Sequence, residues 1–267
     1  MSRNPPLLGD PARVIRTTLG CEPGDLTENV VITPFVPLKS FLRHVDEGGI
    51  KELNPRFFYK GFTAKKHGVP VTVILTGVGP SRVGDAVSLL ALTPAKRLIF
   101  AGAVGGLKEG LAIGDFFLPL SAADGEGYTR YTINPIERTI AEAQETAADQ
   151  AEADALAAFL EKEGEFPGKG KIFTIGSIAF ESRETLKELS DAGFAALEME
   201  LSAFFAATAR HKMASAALTY VSDLPLKSSL WEEKSADEQE RLARAWRLLP
   251  RYAMEFAATG VHAGQAE

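Results

Sequence analysis

The residues with the clearest chemical potential in this 267-residue chain are carboxylates set in apolar surroundings. Glu198 and Glu200 lie in ALEMELSAFFAA, where almost every neighbour is aliphatic or aromatic. A buried carboxylate is costly unless it is paired or hydrogen-bonded. The spacing predicts a helix over 194–211, with Leu197, Leu201, Phe204, Phe205 and Thr208 on one side. Two residues apart, the glutamates point to different sides of it, and one is expected to face a polar cavity. A carboxylate there can accept two hydroxyl hydrogen bonds, which suits a vicinal diol such as a ribose 2′,3′-diol. The simpler alternative is a helix start whose carboxylates meet the N-terminal dipole. Asp223 closes the strand pattern SAALTYVSD (215–223). The carboxyl end of a buried strand is where α/β sheets place chemistry, and an acid there can protonate a leaving group. Its simpler alternative is a turn or N-cap aspartate before Leu224–Pro225.

Two glycine-rich segments follow strand-like runs: TGVGPSRVG (76–84) and AGAVGGL (101–107). Such turns let backbone N–H groups approach an anion or a sugar. Neither is a dinucleotide fingerprint, because Arg82 stands where the third glycine should be, and neither carries the G-K-[ST] of a P-loop. A third string, Gly9-Asp10-Pro11-Ala12-Arg13, precedes the first credible strand and so lacks the context of a strand-to-helix loop.

The elements that must position these groups alternate. Strands are expected at 29–34, in two runs joined near His67–Gly68, and at 96–102, 115–123, 171–177 and 215–223. Helices are expected after Pro37, over 81–92, within 136–163, over 194–211 and over 236–258. This predicts a single-domain three-layer α/β/α sandwich with a mixed central sheet. Residues 1–28, rich in Pro, Gly and charge, are expected to form an irregular N-terminal arm, and 29–267 the domain.

Composition narrows the function classes. With 45% hydrophobic residues the chain can bury a core without staples. Lys+Arg number 29 and Asp+Glu 35, a net charge of −6 that argues against a broad nucleic-acid surface. One cysteine, Cys21, allows no intrachain disulfide, and four scattered histidines lack metal-ligand spacing. No apolar run reaches membrane-spanning length, and the start has no signal-peptide character. A cytoplasmic protein with small-molecule partners, and no metal or cofactor, is expected.

Four motifs in order then resemble the purine nucleoside phosphorylase/uridine phosphorylase superfamily, which includes the methylthioadenosine/adenosylhomocysteine nucleosidases. ALEMELSAFFAATARHKMASAALTYVSD is similar to the family's V-E-M-E-x-A-A helix followed by a strand ending in Ser-Asp. LTGVGPSRVGDAV resembles its S-G-I-G turn and helix, AGAVGGLKEGLAIGDFFLP its glycine turn and L-x-x-G-D strand, and ADGEGYTRY its D-E-G-T-S-Y-x-Y stretch. The resemblance spans roughly 29–258. It implies cleavage of the N-glycosidic bond of a nucleoside, with a purine as the expected base, by a homo-oligomer (dimer or hexamer). Met199 would pack on the ribose and Glu200 would bind its hydroxyls. Asp223, beside Ser222, would protonate or hydrogen-bond N7 of a purine. Phe180 would stack on the base, and Gly105 and Gly106 would line the floor.

The nucleophile region departs from the pattern. The family's phosphate loop, Pro-Gly-Asp-Pro-x-Arg, corresponds to Pro34-Phe35-Val36-Pro37-Leu38-Lys39. Phe35 replaces the glycine, and Lys39 offers a point charge in place of a guanidinium fork. The arginine of the second phosphate element is absent around Phe100-Ala101-Gly102, and Arg43 is the candidate for an arginine lent between subunits. The glutamate with which the hydrolases activate water has no counterpart from 34 to 39, leaving Asp124 or Glu126 as substitutes. The missing phosphate ligands favour hydrolysis over phosphorolysis. The alternatives are a phosphorylase with an atypical phosphate site and a non-catalytic nucleoside-binding protein.

Overall fold

Runs of β-branched and aliphatic residues make the strands at the centre of the molecule. The structure is a computed structural model and describes residues 9–54 and 58–259. In chain order the elements begin with α1 (Pro11–Thr18), β1 (Asn29–Thr33), α2 (Leu38–Leu42), β2 (Lys51–Leu53), β3 (Lys60–Lys66) and β4 (Val69–Leu75). Next come α3 (Pro80–Leu90), β5 (Arg97–Gly106), β6 (Phe116–Gly125), α4 (Tyr128–Ile133), α5 (Ile136–Glu142) and β7 (Glu145–Ala147). The chain continues through α6 (Gln150–Lys162), β8 (Gly168–Ile175), α7 (Arg183–Asp191), β9 (Ala196–Glu198), α8 (Leu201–His211), β10 (Ala214–Asp223) and α9 (Ala236–Ala257).

The strands form one mixed ten-stranded sheet. β5 pairs in parallel with β1 and β10, β1 in parallel with β4, and β4 antiparallel with β3. The circuit β10–β6–β8–β9–β5 closes on itself through the β5–β10 pairing. Side chains alternate across the sheet, as strand geometry requires. Val30, Ile32, Leu98 and Phe100 pack in one core with Ile15, Val87 and Phe204 of α1, α3 and α8. Val31, Ile99 and Ala101 pack in the other with Phe41, Leu156, Leu249 and Phe256 of α2, α6 and α9. The fold is therefore the three-layer α/β/α sandwich expected from the alternation of elements. Among the described residues no helix is long and apolar enough to cross a membrane.

Three expectations are corrected. The arm expected over 1–28 contains α1, whose Ile15 and adjoining Leu19 are buried in the first core; residues 1–8 lie outside the described residues. The string Gly9–Arg13 starts that helix, in keeping with the missing strand before it: the Asp10 carboxylate accepts from the N–H groups of Ala12 and Arg13 and caps the helix. The glycine segment after Phe100 is not a turn, because β5 runs on through Gly106.

The third correction shapes the site. Residues 196–198 form β9, and the helix starts only at Leu201. Glu198 and Glu200 therefore sit at a strand–helix junction, not inside a helix. The short strand is held on both edges: Leu197 pairs with Gly105 of β5 and with Phe173 of β8. Tertiary pairing overrides the helical spacing of Leu197 with Leu201.

Candidate active site

Glu198 builds the junction. Its Oε2 accepts from the N–H groups of Glu200 and Leu201, each at 2.6 Å, and its Oε1 accepts from the Thr174 hydroxyl at 2.5 Å. Two of the N–H groups left unpaired at the start of α8 are thereby satisfied. Burial and the neighbouring Glu200 carboxyl push its pKa upward, against the pull of those donors. Glu200 is the N-cap residue of α8, and its Oε1 accepts from Gly79 N–H at 2.7 Å. Gly79 caps α3 with φ +115°, a left-handed backbone that glycine adopts without strain. The glycine turn thus grips the glutamate; the Glu200 pKa is raised by burial, with the Gly79 bond opposing.

Asp223 arrives at the same cavity from the end of β10. The β5–β10 register skips between Val221 and Asp223, leaving Ser222 as a bulge. A bulge re-aims side chains, and here both Ser222 and Asp223 face the cavity. Ser222 Oγ donates to Asp223 Oδ1 at 2.7 Å. Burial raises the Asp223 pKa, while the Ser222 hydroxyl, Lys234 and the Leu230 N–H lower it. Lys234 itself is tied to Ser228 and Ser229. Gly105 lies between the two acidic segments, paired with Leu197 of β9 on one side and Asp223 of β10 on the other. A Cβ there would fall 2.9 Å from Pro225 and 3.1 Å from Leu197, so the close approach needs glycine.

The cavity these groups enclose has a volume of about 290 Å³. Of the sequence-predicted residues it brings together Phe35, Gly105, Met199, Glu200, Ser222 and Asp223. It leaves out five. Gly106 faces away, as the next residue of a strand must, and lines a separate hollow with Leu107 and Leu224. Phe100 is in the core against Phe204, at 5.5 Å between ring centroids. Lys39 and Arg43 are exposed and do not reach the cavity. Phe180 stacks on Tyr131 at 5.0 Å with Tyr128 at its edge. It belongs to a 3-10 turn, Ile178–Phe180, in which residues three apart share a face. Ile178 and Glu181 accordingly point into the cavity and Phe180 does not.

Sequence reasoning missed Glu181, Tyr220, Val78, Leu230 and Trp231, all of which line the cavity. Period-two alternation from Ser222 was a signal for Tyr220; nothing local marked Glu181. Burial and the charge of Asp223 push the Glu181 pKa up to about 7. Four carboxyl groups (Glu181, Glu198, Glu200 and Asp223) therefore line one cavity, and among the described residues no Lys, Arg or His does. Arg82, on the glycine turn, is committed to the Thr76 and Phe58 carbonyls and the Tyr59 ring. Asp124 and Glu126 line a neighbouring polar hollow with Ser81 and Arg130, where Glu126 accepts from the Ser202 hydroxyl.

A sequence model of the Phosphorylase superfamily matches residues 30–253. The chain belongs to this superfamily. Superfamily relatives include a DeoD-type purine nucleoside phosphorylase of Exiguobacterium sp., 27% identical over 83% of this chain and 90% of that protein. A uridine phosphorylase of Thermococcus kodakarensis is 29% identical over 49% of this chain and 47% of its own length. The fold matches that of Vibrio fischeri uridine phosphorylase with a TM-score of 0.72, at 18% identity over 88% of this chain and 93% of that one. It also matches an AMP nucleosidase of Bacteroides thetaiotaomicron, with a TM-score of 0.66 and 22% identity over 91% and 93% of the two chains.

Proposed function

We propose that this superfamily member is a purine nucleosidase, an enzyme that hydrolyses the N-glycosidic bond. The observation that carries the reading is a cavity lined by four carboxyl groups and, among the described residues, by no cationic side chain. A phosphate dianion would enter it without a counter-charge, facing four carboxyl groups. Water enters with no such penalty.

The chemistry follows from Glu200 and Asp223. Glu200, fixed by Gly79, accepts from the ribose hydroxyls, with Met199 against the sugar. Asp223, buried and prone to hold a proton, donates it to N7 as the bond from C1′ to N9 breaks and the electron pair leaves with the base. The sugar becomes oxocarbenium-like, and surrounding carboxylates stabilise that positive charge. Water adds to C1′ and then releases a proton to a cavity carboxylate, so no strong base need precede attack. Phe35, which lines the cavity and stacks on Trp246, stands where the family's phosphate loop has its glycine. A homo-oligomer accompanies this reading.

Release of free base from a purine nucleoside panel, with and without added phosphate, tests it. Base release is expected to be independent of phosphate, and Asp223→Asn should lower kcat by about 10²–10⁴-fold. Turnover that requires phosphate would replace hydrolysis by phosphorolysis. Tight nucleoside binding with no turnover in either buffer would make the protein a nucleoside-binding one.

A further inference from the structure

Three consecutive N–H groups at the start of α8 are met by one pair of side chains. Glu198 accepts from Glu200 and Leu201, and the next N–H, that of Ser202, donates to the Thr174 hydroxyl at 2.9 Å. The same hydroxyl donates to Glu198 Oε1 at 2.5 Å. Thr174 therefore bridges a residue two places before Glu200 and a residue two places after it. The β8–β9 register sets Thr174 directly opposite Glu198, and its side chain is fully buried. Ser202 is held in turn by its own hydroxyl, which donates to Glu126 at 2.5 Å. We propose that Thr174 is a positioning residue for the sugar: through Glu198 and Ser202 it fixes the backbone of Glu200, and it thereby makes the site select ribonucleosides over their 2′-deoxy counterparts. The proposal rests on the reading above for one point alone, the contact of Glu200 with the ribose hydroxyls, and it is indifferent to the nucleophile.

Glu200 is restrained at two points. Its N–H donates to Glu198 Oε2 at 2.6 Å, and its Oε1 accepts from Gly79 N–H at 2.7 Å. Backbone and carboxylate are thus both set before a substrate enters, and groups held in this way discriminate most sharply between ligands. A carboxylate preset for two hydroxyls loses one charge-assisted hydrogen bond when the 2′-hydroxyl is missing. A carboxylate on a loose backbone shifts to serve the remaining 3′-hydroxyl, and the distinction fades. The Thr174 hydroxyl touches both ends of the restraint. Its removal deprives Glu198 Oε1 and the Ser202 N–H of a buried partner. Glu198 is then anchored only by the N–H groups it is supposed to hold.

Wild type, Thr174→Val, Thr174→Ala and Thr174→Ser are to be compared on adenosine, inosine and uridine against their 2′-deoxy counterparts. The readouts are kcat/KM, with and without phosphate, and calorimetric affinity. The ratio within each pair is independent of the fraction of folded enzyme, so a purely structural role for Thr174 leaves it unmoved. Wild type is expected to favour the ribonucleoside by at least about tenfold, the value of one charge-assisted hydrogen bond. Thr174→Val and Thr174→Ala should bring the ratio to within about threefold of one, chiefly by losing on the ribonucleoside. Thr174→Ser keeps the hydroxyl and should keep the ratio. A wild-type ratio near one, a ratio unmoved in Thr174→Val and Thr174→Ala, a ratio lost in Thr174→Ser, or a wild type that neither binds nor cleaves any pair overturns the proposal. Ratios as expected with cleavage that requires phosphate, or with binding and no cleavage, support the role of Thr174 and reject hydrolysis. Phosphate-independent cleavage with unmoved ratios sinks the role of Thr174 alone.

Discussion

At the scale of single residues, protonation governs the site. Glu181 has a pKa of about 7 in the folded protein, against an ordinary value of 4.5. Between those values the folded protein keeps a proton that the unfolded chain has released, so stability falls as pH rises through that window. His44 and His211, lowered by burial, act in the opposite sense. Comparison with Glu181→Gln cancels them. From pH 5 to pH 8 the wild type is expected to lose about 1–2 kcal/mol relative to the variant, allowing for solvent screening, as read by thermal melts in a pH series. A constant difference in Tm would show that Glu181 ionises as easily folded as unfolded. Asp223, Ser222, Glu200 and Met199 were legible in the sequence because each sits in a short motif with an unusual carboxylate. Glu181 was not, because its approach to Asp223 joins the turn after β8 to the end of β10, and no local pattern records that meeting.

At the scale of elements, period and punctuation located most strands and helices, including the His67–Gly68 hairpin, α3 and α9. They misread β9 because three residues are too few to show a strand period, and β5 because its glycines resemble a turn. Both cases are decided by pairing partners far along the chain. The same long-range logic explains the L-x-x-G-D motif. Gly114 donates its N–H to the Val221 carbonyl of β10, Asp115 pairs with Arg241 of α9 at 2.5 Å, and Gly114 has φ +85°. A Cβ there would fall 2.7 Å from the Arg241 backbone. Gly114→Ala is therefore expected to cost about 2–4 kcal/mol and to lower kcat through displacement of the Ser222 bulge. Urea unfolding and steady-state kinetics on the variant check both effects, and wild-type values for either would detach the motif from β10.

At the scale of the whole molecule, one buried ion pair ties the outer layer to the sheet. Arg97, at the start of β5, bonds Glu152 of α6 at 2.8 Å and donates to the carbonyls of Phe256 and Thr259 at the end of α9. Both side chains are essentially inaccessible. Glu152→Ala leaves the guanidinium without its counter-charge and is expected to cost about 3–5 kcal/mol, measured by denaturant unfolding; a loss below about 1 kcal/mol would mean the carbonyls alone hold the cation. The sequence concealed this pair, since a charged residue beginning a strand reads as solvated. A different consequence follows from Gly105, flanked by β9 and β10. Glu200 follows β9 and Asp223 ends β10, the strands that flank β5, so the backbones that carry them stand two interstrand spacings apart, at most roughly 10 Å. The sheet acts as a gauge with fixed jaws. On the proposed reading the sheet sets the reach between ribose and acid, while the turn bearing Ile178 and the loop bearing Trp231 belong to neither jaw; a lineage with this architecture could change its diet there without rebuilding its grip.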